Sequence, residues 1–268
     1  MIVSRIAFAV ISRLFRSRLL IVAVLISLVV MIMMAQPMIS IAEMKEGGEF
    51  ADAQDMASLD MQVSIGMMGW MANLVALFLG STVIRQDIKE GTIFSVLSKP
   101  VSRLQYFIGS ALGAAFCQCA VWCVFGAVWL WFIYSLEKSI QPLHLTVLCS
   151  EMLKSLLMLS LALAWSQKFS PWIAGLFALL TFGGGNLARR AVDCLNFIKI
   201  DPPEIVGKIC SFPFPTFDKF DELSNQLGQT SLEPVALNWQ AIHTLDYLAL
   251  ALLVAWLCFR KQDLTSNT

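Results

Sequence analysis

The chain has 268 residues, 57% of them hydrophobic and only 14% charged, with a formal net charge of zero and a mean hydropathy of +0.71. A soluble globular domain carries about 25% charged residues, so the composition excludes one. It indicates an all-α polytopic membrane protein.

Residues 1–18 open the chain as a basic amphipathic segment. Arg5, Arg13, Arg16 and Arg18 interleave with Ile2, Ile6, Val10, Leu14 and Phe15, the pattern of a helix lying in the headgroup plane. The apolar run at 19–41 exceeds the 7–15 residues or so of a signal-peptide core, so an uncleaved first span is expected, with Pro37 bending its outer end. Residues 43–60 form an acidic connector in which Glu43, Glu46, Glu49, Asp52 and Asp55 recur every third residue. That recurrence hints at a cation site, but Gly47-Gly48 interrupts any helix and hard-cation loops need converging ligands. A solvated outer loop is the stronger reading.

The second span, 63–84, carries Met67, Met68, Trp70 and Met71. Together with Met31, Met33, Met34 and Met38 of the first span and Cys117, Cys119 and Cys123 of the third, these could line a soft-metal path. Ordinary packing is the alternative, and cysteines two apart diverge around a helix. The third span, 105–134, has a small-residue face of Gly109, Ala111, Gly113 and Ala114 at its near end, suited to close helix packing. Trp129, Trp131, Phe132 and Tyr134 form an aromatic belt at its far end. After a short outer turn at 137–144, the fourth span, 145–165, holds Glu151 and Lys154 at i, i+3 spacing. Charges at bilayer depth face a bundle interior or a cavity, so these two are candidate pathway residues; a neutralised pair near the outer interface is the alternative.

An inner turn at 167–171 leads to the fifth span, 172–187, where Gly183-Gly184-Gly185 is expected to bend or unwind the backbone. The longest non-spanning region, 188–238, contains Pro202-Pro203 and the aromatic series Phe212, Phe214, Phe217 and Phe220. It suits short amphipathic helices on or in the membrane surface; a small outer soluble domain is the alternative. Cys194 and Cys210 fall in this outer region, where a disulfide is left open, while the other five cysteines lie in apolar runs. The sixth span, 239–259, ends at Arg260-Lys261. Eleven of the 19 basic residues (Arg5, Arg13, Arg16, Arg18, Arg85, Lys89, Lys99, Arg103, Lys168, Arg260 and Lys261) fall in the segments this scheme puts on one side. By the positive-inside bias that side is cytoplasmic, with both termini on it.

Between the second and third spans lies the polar stretch Arg85–Arg103. Ile88, Ile93, Val96 and Leu97 sit near helical spacing within it, with Asp87, Lys89, Glu90 and Ser95 turned elsewhere. That predicts a short amphipathic helix, limited by Pro100. The string Asp87…Lys89-Glu90-Gly91-Thr92-Ile93…Leu97-Ser98-Lys99-Pro100-Val101-Ser102-Arg103 resembles the cytoplasmic loop of ABC-2 type transporter permeases. It is most similar to the subfamily typified by the permease of nitrous-oxide reductase maturation. The resemblance implies one transmembrane domain over 1–268 with six spans, an N-terminal interfacial helix, a cytoplasmic coupling helix and an outer amphipathic segment between spans five and six. It implies a bacterial inner-membrane location and a cytoplasmic ATP-binding cassette ATPase as partner, in a complex of two permeases, identical or not, with two ATPases.

The coupling residues so implied are Asp87, Ile88, Lys89, Glu90, Gly91, Thr92, Ile93, Val96 and Leu97. The apolar four would fill a groove on the ATPase, Lys89 and Glu90 would set register, and Gly91 would allow close backbone approach or a tight bend. The chain itself has no Gly-x-x-x-x-Gly-Lys-Ser/Thr string for ATP, no His-Glu-x-x-His and no Gly-x-Ser-x-Gly. It is therefore expected to be non-catalytic, with no cofactor and no nucleic-acid partner; the resemblance implies an exporter driven by ATP hydrolysis in the separate ATPase. Two alternatives stand beside this: an ATPase-coupled subunit that does mechanical or maturation work on a membrane component, and a secondary transporter independent of any ATPase.

Overall fold

The computed structural model describes residues 2–34, 50–93, 101–197, 215, 217–225, 227 and 237–261. Among the described residues the chain is helical, with no strand. The helices are α1 (Ile2–Arg16), α2 (Arg18–Met34), α3 (Phe50–Lys89), α4 (Arg103–Glu137), α5 (Pro142–Ser166), α6 (Pro171–Phe197), α7 (Asp218–Asn225) and α8 (Leu237–Arg260).

Among the described residues, four stretches are long and apolar enough to cross a membrane: Met61–Lys89 in α3, Arg103–Ser135 in α4, Pro142–Ser166 in α5 and Ala241–Arg260 in α8. They correspond to the second, third, fourth and sixth expected spans. Helix α2, 17 residues long and apolar but for Arg18 and Ser27, covers the first as far as Met34; its remainder at 35–41 lies outside the described residues. Of the fifth, the apolar part is Pro171–Gly184. Large apolar side chains such as Trp70, Phe116, Trp131 and Leu250 point outward from these helices, as lipid-facing surfaces require and water-facing ones rarely permit over such areas.

Helix ends follow local chemistry. Ser102 caps α4: its hydroxyl accepts from the Gln105 amide at 3.2 Å, and the Gln105 side-chain oxygen accepts from the Ser102 amide at 3.1 Å, a reciprocal capping box. Pro142 opens α5, where its missing N–H costs nothing. Arg85 at the end of α3 donates to the carbonyls of Ser166 and Phe169, both at 2.9 Å, satisfying backbone groups left over where α5 turns into α6.

Helix α5 is the hub. It packs against α3, α4, α6, α7 and α8, and its small residues Ser155, Ser160 and Ala162 are fully buried. Its closest neighbour is α3, which meets it through Gly80: a Cβ there would lie 2.4 Å from the Leu159 carbonyl oxygen. Buried polar groups pin the other contacts. Trp122 donates to the Ser155 hydroxyl at 2.5 Å, Trp129 to that of Ser64 at 3.0 Å, and Gln118 to the Ala72 carbonyl at 2.9 Å. In lipid such bonds hold helices together because the alternative is an unsatisfied group in hydrocarbon.

Three expectations are corrected. The acidic connector is helical from Phe50, not a loop as far as Asp60: 50–65 contains neither Gly nor Pro and is rich in Ala, Gln and Met, all helix formers. The triple glycine at 183–185 does not break α6, which continues to Phe197 and so past the expected limit of 187. A glycine costs about 1 kcal/mol in a helix, which the backbone hydrogen bonds kept by an unbroken helix offset. Within the expected outer segment, α7 is amphipathic as expected, but Phe217, Phe220, Leu223 and Leu227 at and around it are buried in the bundle core instead of lying on a membrane surface. Helix α6 holds Cys194; Cys210 lies outside the described residues.

Candidate functional site

The polar stretch begins as the last turn of α3. That helix runs without interruption through Asp87, Ile88 and Lys89, so these three are an extension of a spanning helix and not the start of a separate one. The Gly91 amide closes the helix on the Ile88 carbonyl at 3.2 Å, and Gly91 has φ 70°. That left-handed conformation is one only glycine takes at little cost, and here it serves as a helix stop. Gly91 thus interrupts the helix that the spacing predicts from Asp87 to Leu97. Val96 and Leu97 lie outside the described residues.

Asp87 is turned into the chain's own bundle. It is buried at 5% exposure and ion-paired to Arg13 of α1. The Tyr106 hydroxyl of α4 donates to its Oδ2, and Thr92 donates to its Oδ1 at 3.0 Å. Arg13 also donates to the Val83 carbonyl at 3.1 Å. Three helices thus converge on one carboxylate, whose charge is compensated by a guanidinium and whose lone pairs are taken by two hydroxyls, as a buried charge requires.

Ile93 is likewise turned inward, fully buried in the chain's own core, and Ile88 packs half-buried against that core. These two therefore do not form the outward apolar face expected of them: the α3 terminus places them over the bundle, where burial is favourable without any partner. What remains exposed at the tip is polar, namely Gln86, Lys89, Glu90 and Thr92. Gln86 donates to Glu90 at 2.7 Å across one helical turn.

The small-residue face at the start of α4 is real, and its occupant is α1. A Cβ on Gly109 would lie 2.8 Å from Ile6 side-chain carbons, and one on Gly113 would lie 3.0 Å from the Ala7 carbonyl oxygen. Two glycines one turn apart thus let α1 lie directly on α4, with Val10 and Leu14 buried beneath it. Arg13 and Tyr106 were not singled out by the sequence. A signal for Arg13 does exist: Ile6, Val10 and Arg13 follow i, i+4, i+7 spacing, so Arg13 falls on the apolar stripe of an amphipathic helix and needs an anion there.

The second candidate pair forms as its spacing predicts. Lys154 donates to Glu151 at 2.6 Å, and each side chain is only 9% exposed. Lys154 Nζ also sits over the rings of Phe217 and Phe220, at 5.8 and 5.9 Å from their centroids, a cation–π contact in a desolvated setting. On the other side Gly69 leaves room for the Glu151 carboxylate, whose Oε2 would be 2.7 Å from a Cβ at that position. The pair is enclosed by α3, α5 and the residues around α7. The thiols proposed for a metal path diverge, Cys117 being buried, Cys119 half-buried and Cys123 exposed.

No family model matches the chain, and no curated protein matches it either.

Proposed function

We propose that this chain is the membrane-spanning permease subunit of an ABC transporter, an exporter powered by a separate cytoplasmic ATPase. The observation that carries the reading is the string Asp87–Arg103 at the junction of two long apolar helices, α3 and α4, in a chain with no nucleotide-binding loop of its own. Its geometry suits force transmission. The exposed tip at Lys89 and Glu90 stands on a helix end that is tied to α1 and α4 through Asp87 and to the α5–α6 turn through Arg85. A push on such a tip moves packed helices as a rigid body, where a loose loop would dissipate it.

In this reading α2 and α6 supply the first and fifth of six spans. Both termini and the tip face the cytoplasm of a bacterial cell, and two permeases work with two ATPases. Lys89, Glu90 and Thr92 make the docking contact together with the segment that follows, while Asp87 and Ile93 hold the tip in place from behind. The test is Glu90→Lys and, separately, Gly91→Val, followed by co-purification with the ATPase and measurement of hydrolysis and transport. Membrane insertion is expected to be normal, with association weakened or hydrolysis uncoupled from transport. A fully associated, fully active double variant refutes the docking role.

A further inference from the structure

Helices α4 and α8 border an open groove of about 420 Å³ whose floor is α5. Leu104, Ile108 and Ala115 wall one side and Leu248, Leu252 and Trp256 the other, with Ser160 the one polar lining residue. Leu104 and Ile108 are exposed, so the groove opens on the outside of the bundle. From Leu104 to Ala115 the wall runs about 16 Å at 1.5 Å per residue, close to half of a hydrocarbon core of about 30 Å. The groove is one leaflet deep.

Cations gather at its mouth. Arg103 immediately precedes Leu104, and its guanidinium donates to the Arg260 carbonyl at 3.2 Å, joining the start of α4 to the end of α8. Arg260 and Lys261 follow Trp256 by about one turn and are exposed. Beneath these residues the buried ring of Phe259 stacks on Tyr106 and packs against Phe107 and Trp256, which holds the end of α8 against the start of α4.

We propose that this groove is a binding site for an anionic phospholipid, with one acyl chain lying between α4 and α8 and the phosphate held by Arg103, Arg260 and Lys261. A helix from a second copy would have no use for three cations at one end, and a free phosphate would have none for the apolar trough. Only an amphiphile with an anionic head uses both on one axis. The inference goes beyond the transport reading and rests only on the chain lying in a bilayer, not on any ATPase.

The test is native mass spectrometry of the detergent-purified protein, titrated with palmitoyl-oleoyl phosphatidylglycerol and with the phosphatidylcholine of the same chains. The wild type is expected to retain phosphatidylglycerol at least tenfold more tightly. Arg260→Gln and Lys261→Gln, both surface changes that leave the core intact, each weaken that retention about fivefold, the effect of one basic residue at an anionic surface, and leave phosphatidylcholine unchanged. Ala115→Leu, which fills the trough, weakens retention of both lipids. Equal retention of the two lipids by the wild type, or unaltered phosphatidylglycerol retention in the charge variants, overturns the proposal. So does an Ala115→Leu protein that keeps its lipid but loses a dimer mass, because the groove is then a contact between copies. Should Ala115→Leu fail to fold, the two surface variants decide the matter alone.

Discussion

Gly80→Ala is the most direct probe of how the bundle is held together. A Cβ at Gly80 would meet the Leu159 carbonyl oxygen at 2.4 Å, Ala162 Cβ at 2.8 Å and the Leu163 amide nitrogen at 3.0 Å. Carbon–oxygen contacts normally sit at about 3.3–3.6 Å, so α3 has to retreat from α5 by about 1 Å. None of the three atoms is the far end of a flexible side chain, so no rotamer change relieves the clash. A gap of about that size forfeits a quarter to a half of each contact nearby, which puts the cost near the top of the overpacking range, about 3 kcal/mol. The alanine recovers about 1 kcal/mol of helix propensity, leaving a net loss of about 2 kcal/mol. At about 2–4 °C per kcal/mol for a chain of this order of size, the melting midpoint falls by about 4–8 °C.

Gly66 lies on the same helix with nothing within 4 Å of its Cβ position, so Gly66→Ala gains the propensity alone and melts at or above wild type. The assay is the monodisperse fraction on size exclusion after heating detergent-solubilised protein. A Gly80→Ala protein that melts as high as Gly66→Ala refutes the close-approach argument.

Three further outcomes are expected. Arg13→Ala and Asp87→Ala each strand a charge; removing one partner of a buried pair costs about 3–5 kcal/mol, discounted here because the Arg13 side chain is 28% exposed. The double variant should be less damaged than the sum of the singles, and an additive result in a double-mutant cycle of thermal stability refutes the pairing. For Glu151 and Lys154, replacing one alone leaves an uncompensated charge that costs about 2.5–3.5 kcal/mol at a helix centre, so Lys154→Leu should reduce assembled protein more than Glu151→Leu/Lys154→Leu; a double variant as damaged as the summed singles counts against coupling. On a cysteine-free background, Ile200→Cys and Asn225→Cys should react with an impermeant thiol reagent in intact cells, and Ser95→Cys only after lysis. Labelling of position 95 from outside overturns the proposed orientation.

The sequence alone determined whatever depends on hydropathy and spacing along one helix. The long apolar helices α3, α4, α5 and α8 follow from runs of apolar residues that lipid tolerates and water does not. The pairing of Glu151 with Lys154 follows from their i, i+3 geometry, and the bare face of α4 from its glycines; the spacing from Asp87 to Leu97 predicts one helix limited by Pro100, whereas the structure interrupts it at Gly91. What those features meet was decided only by the tertiary structure. The glycine face could have taken any helix and took α1, and Lys154 acquired Phe217 and Phe220, more than 60 residues away in the chain. The amphipathic pattern from Ile88 to Leu97 was read as an outward docking surface, but an apolar face carries no label for which partner covers it. Packing turned Ile93 and Asp87 inward because α1 brought Arg13, and α4 brought Tyr106, to a carboxylate that could not be buried without them. The continuity of α6 through three glycines likewise goes against local propensity, which argues for a break; the backbone hydrogen bonds kept by an unbroken helix outweigh it.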